Sequence, residues 1–139
     1  MASIQATSIE NLQVLIRSSS DGFIADEPRD IGDGLGPDPY EFLLAALGSC
    51  TVMTLQLYAR RKKWPLDKVD VELSHNRVHA SDCEDCEEET GIVERIEVKL
   101  RVEGNLDEKQ RERLAYIATR CPVHKTLASG PRIVHTIVS

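Results

Sequence analysis

Short segments in which hydrophobic and polar residues alternate occur along the 139-residue chain, and such alternation is typical of β-strands. The first of them contains Leu12, Val14 and Ile16, and the turn sequence SSSDG joins it to the segment FIADEP. Together the two segments predict a β-hairpin. Residues 26–38 follow with three glycines and two prolines, so they predict a loop.

The most hydrophobic part of the chain, which begins PDPYEFLLAALGSC, predicts a long helix. Asp38 is suited to cap its N-terminus, Pro39 to occupy the first helical position, and Glu41 to complete a capping box. The helix can continue to about Lys63, which gives a length of about 37 Å. Its apolar run, residues 42–53, is too short to cross a bilayer, so we expect a buried core helix and no membrane partner.

The second half of the chain predicts further strands and helices. Alternating segments at 69–73 and 96–102 predict two strands, and the polar residues 74–91 predict a long loop between them. A helix is predicted from Asn105 to Arg120, with Glu108 near its start.

Three features close the chain: a short helix opened by Pro122, a Gly-Pro break, and a predicted strand from Ile133 to Val138. Strands on both sides of a few helices indicate an α+β fold. The length fits a single domain over residues 1–139.

Composition and charge exclude several classes of protein. A hydrophobic content of 41% and a charged content of 29% are typical of a globular protein. The net charge of −6, with dispersed Lys and Arg, argues against a nucleic-acid partner. The N-terminal residues lack the features of a secretory signal, so we expect a cytoplasmic protein. In a reducing cytoplasm, each of the four cysteines is a candidate metal ligand, redox thiol or inert core residue.

Two cysteines lie at contrasting helix positions. Cys50 lies deep in the long helix, where burial raises the pKa of a thiol, so one interpretation is an inert core residue. A reactive Cys50 requires a nearby cation, which the helix does not supply. Cys121 precedes Pro122, and we expect it to cap the short helix, with His124 within one turn. Because free backbone N–H groups favour a thiolate there, Cys121 is predicted to be the more acidic thiol, although it can also be a simple cap.

The other two cysteines, Cys83 and Cys86, form a C-x-x-C motif in an acidic segment. With His75 and His79 upstream they could form a zinc site, although the order and spacing differ from those of zinc fingers. A second interpretation is a redox dithiol, whose thiolate the six nearby acids would oppose. A third is a solvated acidic loop with incidental cysteines.

The segments GPDPYEFLLAALGSCTVMTLQLYARRK and RCPVHKTL, in this order and at this separation, resemble the two signature regions of the OsmC/Ohr family of thiol-dependent peroxidases. The resemblance covers nearly the whole chain, and the run DEPRDIGDGLGPDPYE and the acidic segment SDCEDCEEETG are most similar to the small cytoplasmic branch. The resemblance implies an OsmC-like fold, with antiparallel strands around a long buried central helix. It also implies an intertwined homodimer with active sites at the interface.

The same resemblance implies a role for each of four residues. Cys50 corresponds to the peroxidatic thiol and Cys121 to the resolving thiol of the family. Arg29 and Glu41 match the arginine and glutamate that activate the first thiol. No cofactor or metal is implied, but the reaction needs an external thiol or dithiol reductant, such as a lipoyl group.

Helix geometry adds an independent reason for a dimer. Glu41 lies nine positions before Cys50, so on a straight helix the two residues face opposite sides and lie about 13 Å apart along the axis. A two-fold dimer could instead bring Glu41 and Arg29 of one chain towards Cys50 of the other.

The favoured hypothesis is therefore a homodimeric antioxidant enzyme of the stress response, a cysteine-based peroxidase acting on organic hydroperoxides and less well on hydrogen peroxide. An alternative is a protein of the same fold that binds a small apolar or thiol-bearing ligand with little peroxidase turnover. A third hypothesis treats residues 75–86 as a structural zinc-binding module.

Overall fold

The computed structural model describes residues 2–138 and has an α+β fold with antiparallel sheets and three helices, as predicted. The chain divides into two compact units, Met1–Ala45 and Ala46–Ser139.

The first unit contains a three-stranded antiparallel sheet in the order β1-β2-β3. Its strands are β1 (Gln5–Ser8), β2 (Val14–Arg17) and β3 (Gly22–Ala25). The β2–β3 pair, in which Val14 lies opposite Ala25, confirms the predicted hairpin. No hydrophobic pattern predicts β1, because its residues QATS are polar or small and all exposed.

A buried carboxylate organises the loop after β3. Asp26 is only 2% exposed, and its side chain accepts hydrogen bonds from the backbone N–H groups of Glu27 (2.8 Å), Asp33 (3.3 Å) and Leu35 (3.1 Å). Burial raises the pKa of Asp26, but the three backbone donors outweigh burial and hold that pKa below its ordinary value. One ionised side chain thus fixes the backbone of a loop that has no regular structure of its own.

The long helix α1 (Pro39–Lys62) begins and ends close to the predicted residues. At its start the Asp38 carboxylate accepts from Glu41 N (2.8 Å) and the Glu41 carboxylate accepts from Asp38 N (3.1 Å), which is a complete capping box. At its end Lys63 has a left-handed backbone with φ of 58°. The N–H of Trp64 then reaches the carbonyl of Ala59 (2.9 Å), as in a Schellman motif.

Helix α1 has apolar residues on its exposed side as well as on the face that it buries within this chain. The exposed side carries Met53 and Leu57, which are 64% and 58% exposed. By length and composition the whole helix could span a membrane, contrary to the expectation from residues 42–53 alone, although core helices of soluble proteins have the same property. The face that packs inside the protein contains Leu47, Gly48, Thr51, Leu55, Tyr58 and Ala59.

The second unit contains a long antiparallel hairpin of β4 (Leu66–His79) and β5 (Ile92–Gly104). The prediction of a loop over residues 74–91 was wrong for residues 74–79, which belong to β4. These polar residues are strand because β5 supplies backbone hydrogen bonds along their whole length, up to the pair His79 and Ile92. Cross-strand pairing therefore extends the hairpin beyond its hydrophobic pattern.

Two shorter helices follow, α2 (Glu108–Ala118) and α3 (Pro122–Ser129). Helix α2 is shorter than predicted at both ends. Its cap is Asp107, not Asn105, and Asp107 forms a reciprocal capping box with Gln110.

The core of the second unit lies between α1 and α2. Leu55 and Leu114 are completely buried, and Tyr58 packs with them. The Tyr58 hydroxyl accepts a hydrogen bond from Arg113 Nε (3.0 Å), so the polar end of this buried ring is satisfied. Partly buried residues around this centre are Trp64, Leu66, Val69, Leu100, Val102, Leu106, Ile117 and Ala118.

The predicted closing strand Ile133–Val138 was wrong for the single chain. Within the described residues, 131–138 have no regular secondary structure. Their large apolar side chains are exposed, Ile137 by 96%. The alternating pattern suits a strand, but a strand also needs a neighbouring edge with which to pair.

Replacing Asp26 with Asn should lower the stability of the protein at neutral pH, with a fall in Tm of several degrees, because an amide is a weaker acceptor for three backbone donors. A carboxyl whose pKa is lowered by folding contributes stability above its unfolded pKa of about 4, and this contribution is lost as the pH falls through the folded value. Urea unfolding between pH 7 and pH 2 should thus show a smaller loss of stability in Asp26→Asn than in the wild type. Asp30→Asn, in an exposed position of the same loop, is the control and should keep the wild-type pH dependence. Parallel pH profiles for the wild type and Asp26→Asn would contradict this role of Asp26.

Candidate active site

The candidate site begins with Cys50, in the middle of α1. Cys50 is a free cysteine and is half-buried, not enclosed in the core. Its neighbour Thr51 is buried and donates a hydrogen bond from Oγ1 to the carbonyl of Leu47 (2.8 Å). The helix therefore holds Cys50 at the edge of a buried face, where small molecules have partial access to the thiol.

Cys121 caps α3, as predicted, and Pro122 occupies the first turn. Its side chain accepts a hydrogen bond from His124 N (3.3 Å), which satisfies one free N–H of the helix. Cys121 has no exposed surface, and its Sγ lies 3.8 Å from Thr51 Oγ1 on α1. Cys121 is thus both the N-cap of α3 and a residue packed against α1.

The structure brings the two free cysteines together. The Cys50 thiol is a neighbour of the Cys121 thiol, although the two residues are 71 positions apart in the chain. Burial raises the pKa of Cys121, the His124 N–H lowers it, and the neighbouring Cys50 raises it further, so the net effect is a raised pKa. The prediction that Cys121 is the more acidic thiol was therefore wrong about its direction, because burial outweighs the helix N-terminus.

Arg29 and Glu41 both lie in the first unit. The Arg29 side chain is exposed and folds over Gly34, where an added Cβ would lie 3.0 Å from Arg29 Cγ. Gly34 also has a φ of 66°, so glycine suits this position for two reasons. Glu41 is exposed and forms the capping box with Asp38. The relation of Arg29 and Glu41 to Cys50 stays a prediction.

Cys83 and Cys86 form a disulfide between residues three apart, with Cα atoms 5.5 Å from each other. In the described residues, a group of possible metal ligands contains these two cysteines and Asp85 but not His75 or His79. His75 lies instead beside Glu94 of β5 (3.5 Å). The proposed Cys2His2 arrangement is therefore not assembled, and the C-x-x-C motif is an oxidised pair.

A cavity of about 320 Å³ adjoins elements that carry both free thiols. Leu47, one turn before Cys50, and His124, one turn into α3, line two of its sides. The remaining lining residues are Glu94, Ile96, Val98, Leu127 and Ala128. This mostly apolar space is suited to a small organic molecule.

The family model described as OsmC-like protein matches residues 32–136, which include α1, both free cysteines and the long hairpin. The chain belongs to the OsmC-like family. OsmC-like proteins are small soluble proteins, and the apolar helix α1 is compatible with that character. No curated protein matches the chain.

Solved structures share the OsmC-like fold at low sequence identity. An OsmC-like protein from Mycoplasma pneumoniae has a TM-score of 0.72 and 22% identity, over 94% of this chain and 89% of the other. An organic hydroperoxide resistance protein OsmC from Legionella pneumophila has a TM-score of 0.65 and 18% identity, over 91% and 88%. The organic hydroperoxide resistance protein OhrB of Bacillus subtilis has a TM-score of 0.60 and 20% identity, over 94% and 92%.

Sequence reasoning missed three residues of this OsmC-like chain: Asp26, Thr51 and Arg95. An acid at the start of a glycine-rich loop is a recognisable signal for Asp26, because such a loop has free backbone N–H groups to satisfy. Thr51, directly after Cys50, gave no signal, since its contact with Cys121 joins distant segments. Arg95 likewise gave no signal, because it comes within 3.4 Å of the Cys83 sulfur only when the β4–β5 hairpin forms.

The raised pKa of Cys121 predicts slow alkylation with a particular pH dependence. In the reduced protein, iodoacetamide labelling of Cys121, followed by peptide mass spectrometry, should be at least about tenfold slower than in urea at pH 8. Its rate should still rise above pH 9, whereas a thiol with an ordinary pKa of about 8.5 approaches its plateau there. A plateau by pH 8 in the folded protein would show instead that the cap position controls this thiol.

Proposed function

We propose that this OsmC-like protein is a thiol-dependent peroxidase that reduces organic hydroperoxides, and hydrogen peroxide less well. Cys50 is the peroxidatic thiol and Cys121 the resolving thiol. The observation that carries the proposal is that Cys50 and Cys121, the two free cysteines, are neighbours in the structure. Two structural neighbours named as organic hydroperoxide resistance proteins support the same chemistry.

The reaction takes place in three steps. The Cys50 thiolate attacks the peroxide O–O bond, becomes a sulfenic acid, and releases an alkoxide that takes up a proton to form the alcohol. The Cys121 sulfur then attacks Cys50 Sγ, its proton joins the departing hydroxyl, and water and a disulfide form. An external dithiol finally reduces the disulfide to two thiols and is itself oxidised to a disulfide.

The difference between the environments of Cys50 and Cys121 supports these two roles. Cys121 is completely buried and its pKa is raised, so it remains a protonated thiol while peroxide reacts. Cys50 is the half-buried member and is accessible to substrate. The peroxide therefore reacts with one nucleophile, Cys50. Cys121 reacts only after Cys50 has become an electrophilic sulfenic acid.

Activation of Cys50 is assigned to Arg29 and Glu41. A guanidinium beside Cys50 would stabilise the thiolate and hold a peroxide oxygen. The Arg29 loop is suited to carry such a group, because Asp26 fixes its backbone through three hydrogen bonds. Glu41 orients the guanidinium through a carboxylate pair while it also caps α1.

A homodimer supplies the arrangement that one helix alone does not. Met53 and Leu57 give α1 an exposed apolar stripe, and the segment from Ile133 to Val138 exposes four large aliphatic side chains. Both features are expected where a second copy packs on the chain, with α1 central and buried in the assembly. In that dimer, Arg29 and Glu41 of one protomer act on Cys50 of its partner.

The remaining requirements of the enzyme are modest. It uses no metal or cofactor, and its electrons come from an external thiol or dithiol such as a lipoyl group. A reducing, cytoplasmic location suits this cycle, because an external reductant must return Cys50 and Cys121 to thiols.

A second candidate function is favoured by the cavity of about 320 Å³ beside Leu47 and His124. Its apolar lining suits storage or transport of a small apolar or thiol-bearing ligand with little turnover. Negligible peroxide consumption by protein with an intact, reduced Cys50, together with saturable ligand binding, would favour this function over the peroxidase.

Replacing Cys50 with Ser should abolish the consumption of tert-butyl and cumene hydroperoxide with dihydrolipoamide as reductant, a loss of at least about 10³-fold in kcat/KM. Cys121→Ser should still form one Cys50 sulfenic acid per chain, detected by dimedone trapping, but should lose dihydrolipoamide-driven turnover. Ser49→Ala is the matched control, because Ser49 is exposed on α1 next to Cys50. An unchanged rate in Cys50→Ser would exclude the proposed mechanism.

Mixing two inactive variants should restore activity if Arg29 acts across the dimer. Arg29→Gln retains Cys50 and Cys50→Ser retains Arg29, so a mixed dimer contains one complete site and one doubly defective site. After co-refolding in equal amounts, about one quarter of wild-type activity is expected, since half of the dimers are mixed. Native mass spectrometry, which separates the mixed dimer from the two homodimers by mass, measures the fraction of mixed dimers. No recovery from mixed dimers would show that Arg29 acts within its own chain, and an active Arg29→Gln homodimer would show that Arg29 does not activate Cys50.

A further inference from the structure

The end of the β4–β5 hairpin carries a second pair of sulfurs, separate from Cys50 and Cys121. The Cys83–Cys86 disulfide lies beyond the last strand pair, His79 with Ile92. Both cysteines are half-buried, and the residues between them, Glu84 and Asp85, are exposed. The disulfide is therefore within reach of a small molecule in solution.

Stability alone gives little reason for this disulfide. A cross-link between residues three apart closes a very short loop and restricts the unfolded chain only slightly. The antiparallel pairing of β4 and β5 already holds the two ends of the connecting segment together. A chemical role explains the pair better than a structural one.

A cation contacts one of the two sulfurs. Nη1 of Arg95 lies 3.4 Å from Cys83 Sγ. The same guanidinium donates to both carboxylate oxygens of Asp85 (2.6 and 3.4 Å) and, through Nε, to Glu97 (3.3 Å). Two carboxylates thus fix the guanidinium in place beside the sulfur. They also offset part of its charge, and Asp85 Oδ1 itself lies 3.3 Å from Cys83 Sγ.

We propose that Cys83–Cys86 is a redox-active disulfide that exchanges with small uncharged dithiols, with Arg95 stabilising Cys83 as the leaving thiolate. A thiolate of the external dithiol attacks Cys86 Sγ, the Cys83–Cys86 bond breaks, and Cys83 departs as a thiolate beside Arg95. The second external thiol then loses its proton and attacks the mixed disulfide. Cys86 is released, the external dithiol becomes a disulfide, and its two protons pass to Cys83 and Cys86, so two electrons are transferred.

The surroundings of the disulfide determine which reductants it accepts. Cys86, the sulfur that the dithiol attacks, is half-buried between exposed residues, and a cavity of about 410 Å³ adjoins Cys83 and Arg95 on the leaving-group side. Six acids in the surrounding segment repel anionic thiols over about 10 Å at 0.1 M salt. They are Asp82, Glu84, Asp85, Glu87, Glu88 and Glu89. Uncharged dithiols should therefore react faster than acidic ones.

Reduction of the disulfide with dihydrolipoamide in the full-length protein tests the proposal. After acid quenching and alkylation, a tryptic peptide carries both Cys83 and Cys86 and neither Cys50 nor Cys121, so mass spectrometry follows this pair alone. Arg95→Met should slow reduction about tenfold, because a leaving thiolate of lower pKa departs faster. Arg95→Lys, which keeps the charge, should retain most of the wild-type rate and guards against misfolding of the hairpin.

Arg77→Met is the matched control, since Arg77 lies on the same hairpin in an ion pair with Glu94 (2.6 Å). Its rate should stay within about twofold of the wild type, since the guanidinium at the leaving sulfur belongs to Arg95. Dihydrolipoate, the anionic counterpart of dihydrolipoamide, should react several-fold more slowly at low salt, and the difference should shrink in 0.5 M salt. Equal rates for wild type and Arg95→Met would overturn the proposal. So would one zinc ion per chain in purified protein with both sulfurs reduced, which would favour a metal site of Cys83, Asp85 and Cys86.

Discussion

The packing of the α3 N-cap against α1 is the contact on which the candidate site depends. It places Cys121 Sγ against Thr51 and beside Cys50, and it removes Cys121 entirely from solvent. The cap hydrogen bond from His124 fixes the direction of the side chain. Without this contact, Cys121 would be an exposed helix cap and Cys50 an isolated thiol.

Burial therefore differentiates the two thiols more than charge does. A helix N-terminus lowers the pKa of a thiol, but that effect acts through partial charges and is smaller than the loss of hydration in a closed site. Cys121 is held protonated by burial, while Cys50 keeps partial exposure. At the end of the β4–β5 hairpin a charge acts on the sulfur instead, because the Arg95 guanidinium lies against the half-buried Cys83. One small chain thus places two sulfur pairs in two different electrostatic environments.

The strand predictions that were wrong depend on backbone pairing between different segments of the chain. Residues 74–79 are polar yet form strand, because β5 lies alongside them, whereas residues 133–138 alternate well yet form no strand in the single chain. β1 was missed for the same reason as residues 74–79. Side-chain pattern describes which face of a strand is buried, but it does not state whether another backbone edge is available.

The sequence by itself determined the features that arise within a few residues. These are the capping box of Asp38 and Glu41, the end of α1 before Pro65, and the cap at Cys121. Only the tertiary structure decided that Cys121 is buried beside Cys50 and that Arg95 meets Cys83. Caps depend on hydrogen bonds between neighbours in the chain, so they are visible in the sequence. The acidity of a thiol depends on the water it loses and the charges it meets, and both are supplied by segments distant in the chain.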